Sequence, residues 1–295
     1  MQTPEESPKA AGQVLPAPVE VRVVAPTAAD RSPEKFIRRT TRRNVMLSVL
    51  TPIVALVLWE ISSRAGLTDA RFFPPPTQVF STGFEMVTNG TLLANLWVTV
   101  STLLIGLVIG YAAGVVVGVL MGLFRPLRAA LEPLLSGLYT IPKIAILPLL
   151  VLIFGIGDAP RIIVVGIGSF FIAWITMLEA TANVPHGYLE TAESFNLTRA
   201  EKLRFVILPS TLPDLFVGMR IAVGNAVLLI VAVEFVVGGE GVGSMIWNSW
   251  TIFATGRMYA GIVIVALLGF VLSRIVTLAA VVAVPWAPKS QKRRS

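Results

Sequence analysis

The sequence contains no cysteine and a single histidine, His186. Without thiols the chain can form neither a disulfide nor a cysteine-ligated metal site, and it has no thiolate nucleophile. One histidine cannot build a multi-histidine metal centre, and a lone histidine in a polar loop is usually a solvated side chain. We therefore expect this chain to hold no metal and no catalytic residue.

Charged residues are also scarce, at 14% of the chain, whereas 55% of the residues are hydrophobic. Soluble domains have about 25% charged and about 45–50% apolar residues. The excess apolar side chains exceed what a water-soluble core of this size can bury, so lipid is the expected solvent.

Long apolar stretches recur along the chain, and crossing a bilayer takes about 20 residues. They lie at roughly 45–65, 96–123, 135–156, 161–182, 214–237 and 260–285. The sequence therefore predicts an all-α, polytopic membrane protein with about six transmembrane helices. The third stretch contains Pro142, Lys143 and Pro148, so we expect it to be kinked or partly unwound.

The net charge of +7 is concentrated on both sides of the apolar region. The basic residues of these two clusters are Lys35, Arg38, Arg39, Arg42 and Arg43, then Lys289, Lys292, Arg293 and Arg294. This pattern follows the positive-inside rule and predicts that both termini face the cytoplasm. We expect these charges to bind anionic lipid headgroups rather than nucleic acid.

Composition divides the chain into successive segments. We predict a disordered cytoplasmic tail with a basic flank at 1–44, a first transmembrane helix at 45–65, an outer loop at 66–93 with an interfacial helix at 77–89, a core of five helices at 94–285, and a basic cytoplasmic tail at 286–295. The N-terminal segment lacks the pattern of a signal peptide.

Glycines recur every four residues in the second apolar stretch. They are Gly106, Gly110, Gly114, Gly118 and Gly122. This spacing places them on one stripe of a helix, where the missing side chains let a neighbouring backbone approach closely. The partner helix can belong to the same subunit or to a second one.

Residues 184–213 form the polar segment between the fourth and fifth stretches. Pro185 fits the first turn of a helix, and Asn196 can adopt the left-handed conformation that ends it. Thr198 and Glu201 have the spacing of a capping box for a second helix, which Pro209 and Pro213 should then break. The apolar face of the first helix comprises Tyr188, Leu189, Ala192 and Phe195.

Within this segment, Glu190-Thr191-Ala192, Asn196 and Ile207-Leu208-Pro209 resemble the EAA…G…I-LP loop of inner-membrane permease subunits of ABC importers. Further motifs are similar to those of the nitrate/sulfonate/taurine subclass: Phe73-Pro74-Pro75-Pro76-Thr77, Phe154-Gly155-Ile156-Gly157, and Ala232-Val233-Glu234 with Gly241-Val242-Gly243. The resemblance extends over roughly residues 72–280. The chain departs from the loop pattern at Thr191, where the family has alanine, and at Asn196, where it has glycine.

The resemblance implies a type I ABC importer permease fold with a cytoplasmic coupling helix, in a bacterial-type inner membrane. It implies three protein partners: a cytosolic ATPase dimer, an extracytoplasmic solute-binding protein, and a second copy of this chain. The residues it assigns to the ATPase contact are Glu190, Thr191, Ala192, Phe195, Asn196, Leu197, Leu208 and Pro209. The implied solute is a small anion such as an aliphatic sulfonate, taurine or nitrate, with a heteroaromatic vitamin precursor as the alternative.

The sequence has no G-x-x-x-x-G-K-[ST] phosphate loop, so ATP and Mg²⁺ are expected on the partner ATPase and no cofactor on this chain. The glycines at 238, 239, 241 and 243 are interpreted as a flexible turn on the outer side.

Several ionisable or polar residues fall within the apolar stretches. We expect Glu179, Arg220 and Arg274 to snorkel towards the cytosol from the span ends, and Lys143 to do the same. Glu234 either lies near the translocation path or bonds a neighbouring helix. Asn225, in mid-span, faces a pore or a partner subunit, or makes an interhelical hydrogen bond.

Two other classes of membrane protein are alternatives to an ABC importer permease. An ion-coupled secondary transporter would need inverted repeats and a charged relay at mid-membrane, and the sequence shows neither. A membrane-embedded enzyme would need clustered histidine, cysteine or acidic residues at membrane depth, and these are scarce.

Overall fold

The computed structural model describes residues 33–286, with side chains from Arg43 onward. Its α-helices are α1 (Pro33–Arg64), α2 (Pro76–Thr88), α3 (Thr91–Leu123), α4 (Arg125–Tyr139), α5 (Leu147–Phe154), α6 (Asp158–Ala182), α7 (His186–Ser194), α8 (Arg199–Lys202), α9 (Leu208–Val237), α10 (Val242–Thr251) and α11 (Thr255–Ala283). A 3₁₀ turn at Lys143–Ile146 precedes α5, and a π-helical turn at Leu203–Ile207 joins α8 to α9.

Five helical segments in the described range are long and apolar enough to cross a membrane. They are Arg43–Arg64, α3, α6, the continuous segment Arg199–Val237, and α11. The bent pair α4–α5 would be a sixth span. This confirms the predicted all-α membrane fold. Contacts divide the chain into a unit ending at Val57 and a unit starting at Leu58, and all packing described below lies in the second unit.

The N-terminal helix is longer than the sequence predicts. α1 begins at Pro33, so residues 33–44, assigned to a disordered tail, are helical. Residues 1–32 of the predicted tail, and the basic residues Lys289 to Arg294, lie outside the described residues.

The third apolar stretch is broken, as its prolines predict. α4 ends at Tyr139 and α5 begins at Leu147, and the two helices are bent by 86°. Pro142 and Pro148 carry no N–H and cannot continue a regular helical ladder. The predicted start at residue 135 is wrong, because α4 already begins at Arg125.

The core of the bundle lies where α3, α6 and α9 meet. Its buried side chains include Leu103 and Leu107 from α3, Val165 from α6, and Ala226 and Ile230 from α9. Along one side of α3 the glycine stripe lies against the backbone of α6. A methyl carbon placed on Gly106 would lie 2.6 Å from the carbonyl oxygen of Ile162, and one on Gly118 would lie 2.6 Å from that of Trp174.

Two shorter helices cover the predicted outer end. α2 covers the predicted interfacial segment 77–89; it buries Val79 and Met86 in a cluster with Leu92 and Ala260 and leaves Phe84 exposed. α10 was not predicted, because its ten residues are too few to span a bilayer.

Candidate functional site

The hairpin (residues 184–213) begins with α7, which ends in a specific hydrogen-bonded turn. The N–H of Asn196 donates to the carbonyl of Glu193 at 2.9 Å, and the N–H of Leu197 donates to the carbonyl of Ala192 at 3.1 Å. Asn196 has φ 53°, as predicted. This is the Schellman arrangement, in which one left-handed residue satisfies the last helical carbonyls.

The second helix of the hairpin begins at the predicted capping box. The Thr198 hydroxyl accepts the N–H of Glu201 at 3.3 Å, and the Glu201 carboxylate accepts the N–H of Thr198 at 2.8 Å. Lys202 then reaches back to Glu193 of α7 at 3.0 Å. The two helices are thus fixed relative to each other by a turn, a cap and an ion pair.

The exit from the hairpin differs from the prediction. Pro209 and Pro213 do not separate the second helix from the fifth span, because α8 continues through the π-helical turn into α9. Pro209 lacks a backbone donor, and the wider i→i+5 turn just before it accommodates this loss. The hairpin is therefore joined directly to a membrane-spanning helix.

The predicted contact residues of the hairpin divide into a buried support and an exposed surface. Ala192 is 2% exposed, whereas Phe195 is 75% exposed. Leu197 and Pro209 are half-buried, and the exposed members are Glu190, Thr191, Phe195, Asn196 and Leu208. Tyr188 and Phe205 are also exposed. The surface combines aromatic rings with one carboxylate on a rigid backbone, a composition typical of contacts with another protein.

A second polar site lies at the opposite end of α9, around the fully buried carboxylate of Glu234. The Thr99 hydroxyl of α3 donates to Glu234 Oε1 at 2.8 Å, and the N–H of Gly243 donates to Oε2 at 2.6 Å. Glu234 therefore does bond a neighbouring helix, one of the two roles left open by the sequence.

The same network fixes the glycine-rich segment after α9. The N–H of Val242 donates to the Thr99 hydroxyl at 2.8 Å, and the N–H of Gly241 donates to Asn95 Oδ1 at 2.9 Å. The buried guanidinium of Arg161 donates to the carbonyl of Gly238 at 2.5 Å. The interpretation of this segment as a flexible turn is wrong, since hydrogen bonds hold its backbone at Gly238, Gly241, Val242 and Gly243.

Sequence reasoning missed Asn95, Thr99 and Arg161 as parts of this network. Asn95 and Thr99 stand four residues apart, on the same helical face as each other, and that spacing was the available signal. Their bonding partners come from α9, the glycine-rich segment after it and α10, and could not be read from a linear pattern.

The other polar and small candidates lie at helix–helix contacts. Asn225 is half-buried, and its Nδ2 would lie 3.1 Å from a methyl carbon placed on Gly168 of α6. Gly106, Gly110, Gly114 and Gly118 face α6 of the same chain. Within the described residues, no group of three or more histidine, cysteine or acidic side chains could hold a metal ion.

Comparison with known proteins places these features in a family. The family model described as "Binding-protein-dependent transport system inner membrane component" matches residues 110–280. The chain is 30% identical to the taurine transport system permease protein TauC of Escherichia coli (strain K12), over 78% of this chain and 86% of that protein. It is 33% identical to the riboflavin transport system permease protein RibX of Chloroflexus aurantiacus, over 74% of this chain and 82% of that protein.

A solved structure shows the same fold. An inward-facing structure of the MetNI methionine ABC transporter superposes with a TM-score of 0.58, covering 65% of this chain and 95% of the matched chain. The two sequences are 22% identical over this region, so the likeness concerns the fold alone.

Proposed function

Because this chain belongs to the family of inner membrane components of binding-protein-dependent transport systems, we propose that it forms the membrane path of an ATP-driven importer and is coupled to a separate ATPase through residues 184–213. The chain is a transport component and not a catalytic subunit. ATP and Mg²⁺ bind the partner ATPase dimer. The hairpin and both termini face the cytoplasm, and a solute-binding protein docks on the outer side.

The observation that carries this proposal is the exposed Phe195 at the end of α7. Its side chain is 75% exposed, although its backbone belongs to a fully hydrogen-bonded turn. Exposing a large apolar side chain to water is unfavourable by about 2 kcal/mol relative to burying it. A groove on a cytosolic partner would bury this ring, and the neighbouring Glu190 carboxylate would fix the orientation of the contact.

The continuous path from α8 into α9 supports the coupling role. Nucleotide-driven closure of the ATPase dimer would move the docked hairpin. The π-helical turn at Leu203–Ile207 connects this movement to α9 without an intervening loop. The same helix carries Glu234 at its other end, so displacement at the cytosolic face is transmitted across the membrane.

The test compares two equally exposed phenylalanines. Phe195→Ala should lower ATP-dependent uptake about tenfold or more, whereas Phe84→Ala on α2, whose side chain is 72% exposed, should leave uptake close to wild type. Glu190→Lys should uncouple hydrolysis from uptake while the protein still inserts. Uptake by reconstituted complexes and ATP hydrolysis would be measured together. Wild-type uptake by both hairpin variants would refute the coupling role.

A cysteine-free chain allows the contact to be located directly. Phe195→Cys introduces the only thiol of this subunit and should cross-link to a thiol placed in the ATPase groove. Phe84→Cys should give no such product. If Phe195→Cys reacts with an impermeant reagent added to the outer side of intact cells, the proposed orientation is wrong.

We propose that two copies of the chain enclose one path and that the solute carries a sulfonate or comparable anionic group. The taurine permease of Escherichia coli supports this solute class. Uptake should stop on removal of ATP and persist with a proton uncoupler, which separates this importer from an ion-coupled secondary transporter. A single-copy complex after mild solubilisation would argue against the homodimer.

A second solute class has comparable support. The riboflavin permease of Chloroflexus aurantiacus is 33% identical to this chain, slightly more than the taurine permease. An imported heteroaromatic compound is therefore the alternative, and uptake of labelled riboflavin and taurine by the same complex distinguishes the two.

A further inference from the structure

Helix lengths place Lys143 near mid-membrane, in contrast to the expectation that it snorkels from a cytosolic span end. Its Nζ is 5.2 Å from the ring centroid of Phe171. Phe171 lies near the middle of α6, about 17–20 Å from either end at 1.5 Å per residue. The hydrocarbon core of a bilayer is about 30 Å thick, so this ammonium group lies close to its centre.

The break between α4 and α5 fixes the lysine at this depth. Lys143 is the first residue of the 3₁₀ turn that follows Tyr139 and the helix break. Its ammonium donates to the carbonyl of Tyr139 and lies 4.4 Å from the centroid of the Tyr139 ring. The side chain is therefore directed at the bundle interior and does not extend along a helix towards the interface.

The ammonium borders a cavity of about 620 Å³ between α3, α6 and the α4–α5 break. Gly110 and Gly166 form part of its wall, with Ile163, Phe170 and Phe171. Lys143 is the only charged side chain among the described residues that line it. No carboxylate of the described residues lies within 4 Å of a Lys143 nitrogen.

A lysine at this depth without a carboxylate partner is costly, and such residues usually serve an ion or solute path. One carbonyl and two ring faces offset only part of the lost hydration. The missing partner is an anion. A lipid phosphate does not meet this need, because headgroups lie at the interface, about 15 Å from the bilayer centre.

Resting on the proposed importer function, we propose that Lys143 binds the anionic group of the imported solute as it passes the middle of the membrane, and that this solute is of the sulfonate class. Because the other lining residues of the cavity are apolar, the Lys143 ammonium is the group that recognises the anionic part of the solute. The cavity accommodates a small organic anion beside it, and a neutral ring system would gain nothing from the charge.

The test uses complexes of this chain with its ATPase and binding protein in phosphatidylcholine vesicles, with labelled taurine and labelled riboflavin as probes. Lys143→Met keeps the length of the side chain and removes the charge. It should lower taurine uptake about 10- to 100-fold, the loss expected for a hydrogen bond to a charged group. Lys143→Arg should retain most uptake, and binding-protein-stimulated ATP hydrolysis should persist in both variants.

Chemical rescue separates a charge requirement from a structural one. Lys143→Cys should lose taurine uptake and regain it when 2-aminoethyl methanethiosulfonate restores an ammonium group. Methyl methanethiosulfonate, which adds no charge, should not restore it. Partner subunits free of reactive thiols are used. Val108→Cys, on an exposed face of α3, is the matched control and should be unaffected by either reagent.

Each other outcome contradicts a specific statement. Wild-type taurine uptake by Lys143→Met overturns the inference, and so does loss of uptake and hydrolysis together without aminoethyl rescue. Uptake of riboflavin but not taurine by the unmodified complex also overturns it, although the importer function stands. A deficit in Lys143→Met that appears only when phosphatidylglycerol is present would assign the lysine to a headgroup. Absence of any ATP-dependent uptake would instead refute the proposed function.

Discussion

Thr99 in α3 donates a buried hydrogen bond of 2.8 Å to Glu234 in α9, and its oxygen accepts the N–H of Val242 at the start of α10. One hydroxyl group thus joins two spanning helices to the segment that follows them. The carboxylate it contacts is fully buried, so bulk solvent cannot replace a lost partner.

Thr99→Val should lower the free energy of unfolding by about 1–3 kcal/mol, because it leaves a buried carboxylate oxygen and a buried N–H without this partner. Valine keeps the shape of the side chain. Thr102→Val is the matched control, since the Thr102 hydroxyl bonds only backbone carbonyls of its own helix. Thermal unfolding in detergent measures both, and equal midpoints for the two variants would contradict the role of the network.

Gly110→Ala should destabilise the contact between α3 and α6. A methyl carbon on Gly110 would overlap the carbonyl group of Gly166, and relieving such overpacking costs about 1–3 kcal/mol. Gly137→Ala in α4 has nothing within 4 Å of the added methyl and should raise stability by up to about 1 kcal/mol. Urea or heat unfolding of the two purified variants should show changes of opposite sign in the free energy of unfolding. A neutral Gly110→Ala would mean that the two backbones separate easily.

Asn196 is a non-glycine residue with φ 53°, a conformation that costs a branched side chain about 1–2 kcal/mol. Asn196→Val should therefore open the end of α7, and Asn196→Gly should preserve it. Asn183→Val tests the same change at φ −103°, where branched residues fit. Amide hydrogen exchange over residues 190–198 is the measurement. Equal protection in the valine and glycine variants would refute the turn geometry.

The cap should stabilise the second helix of the hairpin more than the ion pair does. Thr198→Ala removes the capping box and should cost about 1 kcal/mol of local stability. Glu193→Gln removes the ion pair to Lys202. Because the Glu193 carboxylate is largely exposed, this change should cost less than about 1 kcal/mol. Hydrogen exchange at residues 199–203 ranks the two variants. A larger effect of Glu193→Gln, or one insensitive to salt, would reverse this assignment.

Local chemistry was sufficient to predict much of the hairpin and the helix bundle. The left-handed Asn196 and the Thr198–Glu201 box depend on neighbours within a few residues, so their geometry follows from the sequence. Runs of about 20 apolar residues likewise identify spanning helices without any tertiary information.

Features that depend on three-dimensional placement were not predicted. Pro142 and Pro148 indicated a break but not its 86° angle, and a third span taken to start near residue 135 put Lys143 at the cytosolic side. α10 is too short to give a membrane signal, and the partners of Glu234 come from distant segments of the chain. The continuation of α8 into α9 required a π-helical turn, which proline positions alone do not indicate.

The glycine contacts between α3 and α6 also limit how the protein can change conformation. At four successive glycines of α3, the backbone of α6 lies where a side chain would otherwise be. Sliding or rolling of one helix on the other would therefore bring α6 carbonyl groups into the backbone or side chains of α3. The two helices must therefore move together as one rigid unit. Any gate that opens to one side of the membrane and then to the other has to hinge at the borders of that unit, where α9, α10 and the α4–α5 elbow meet it.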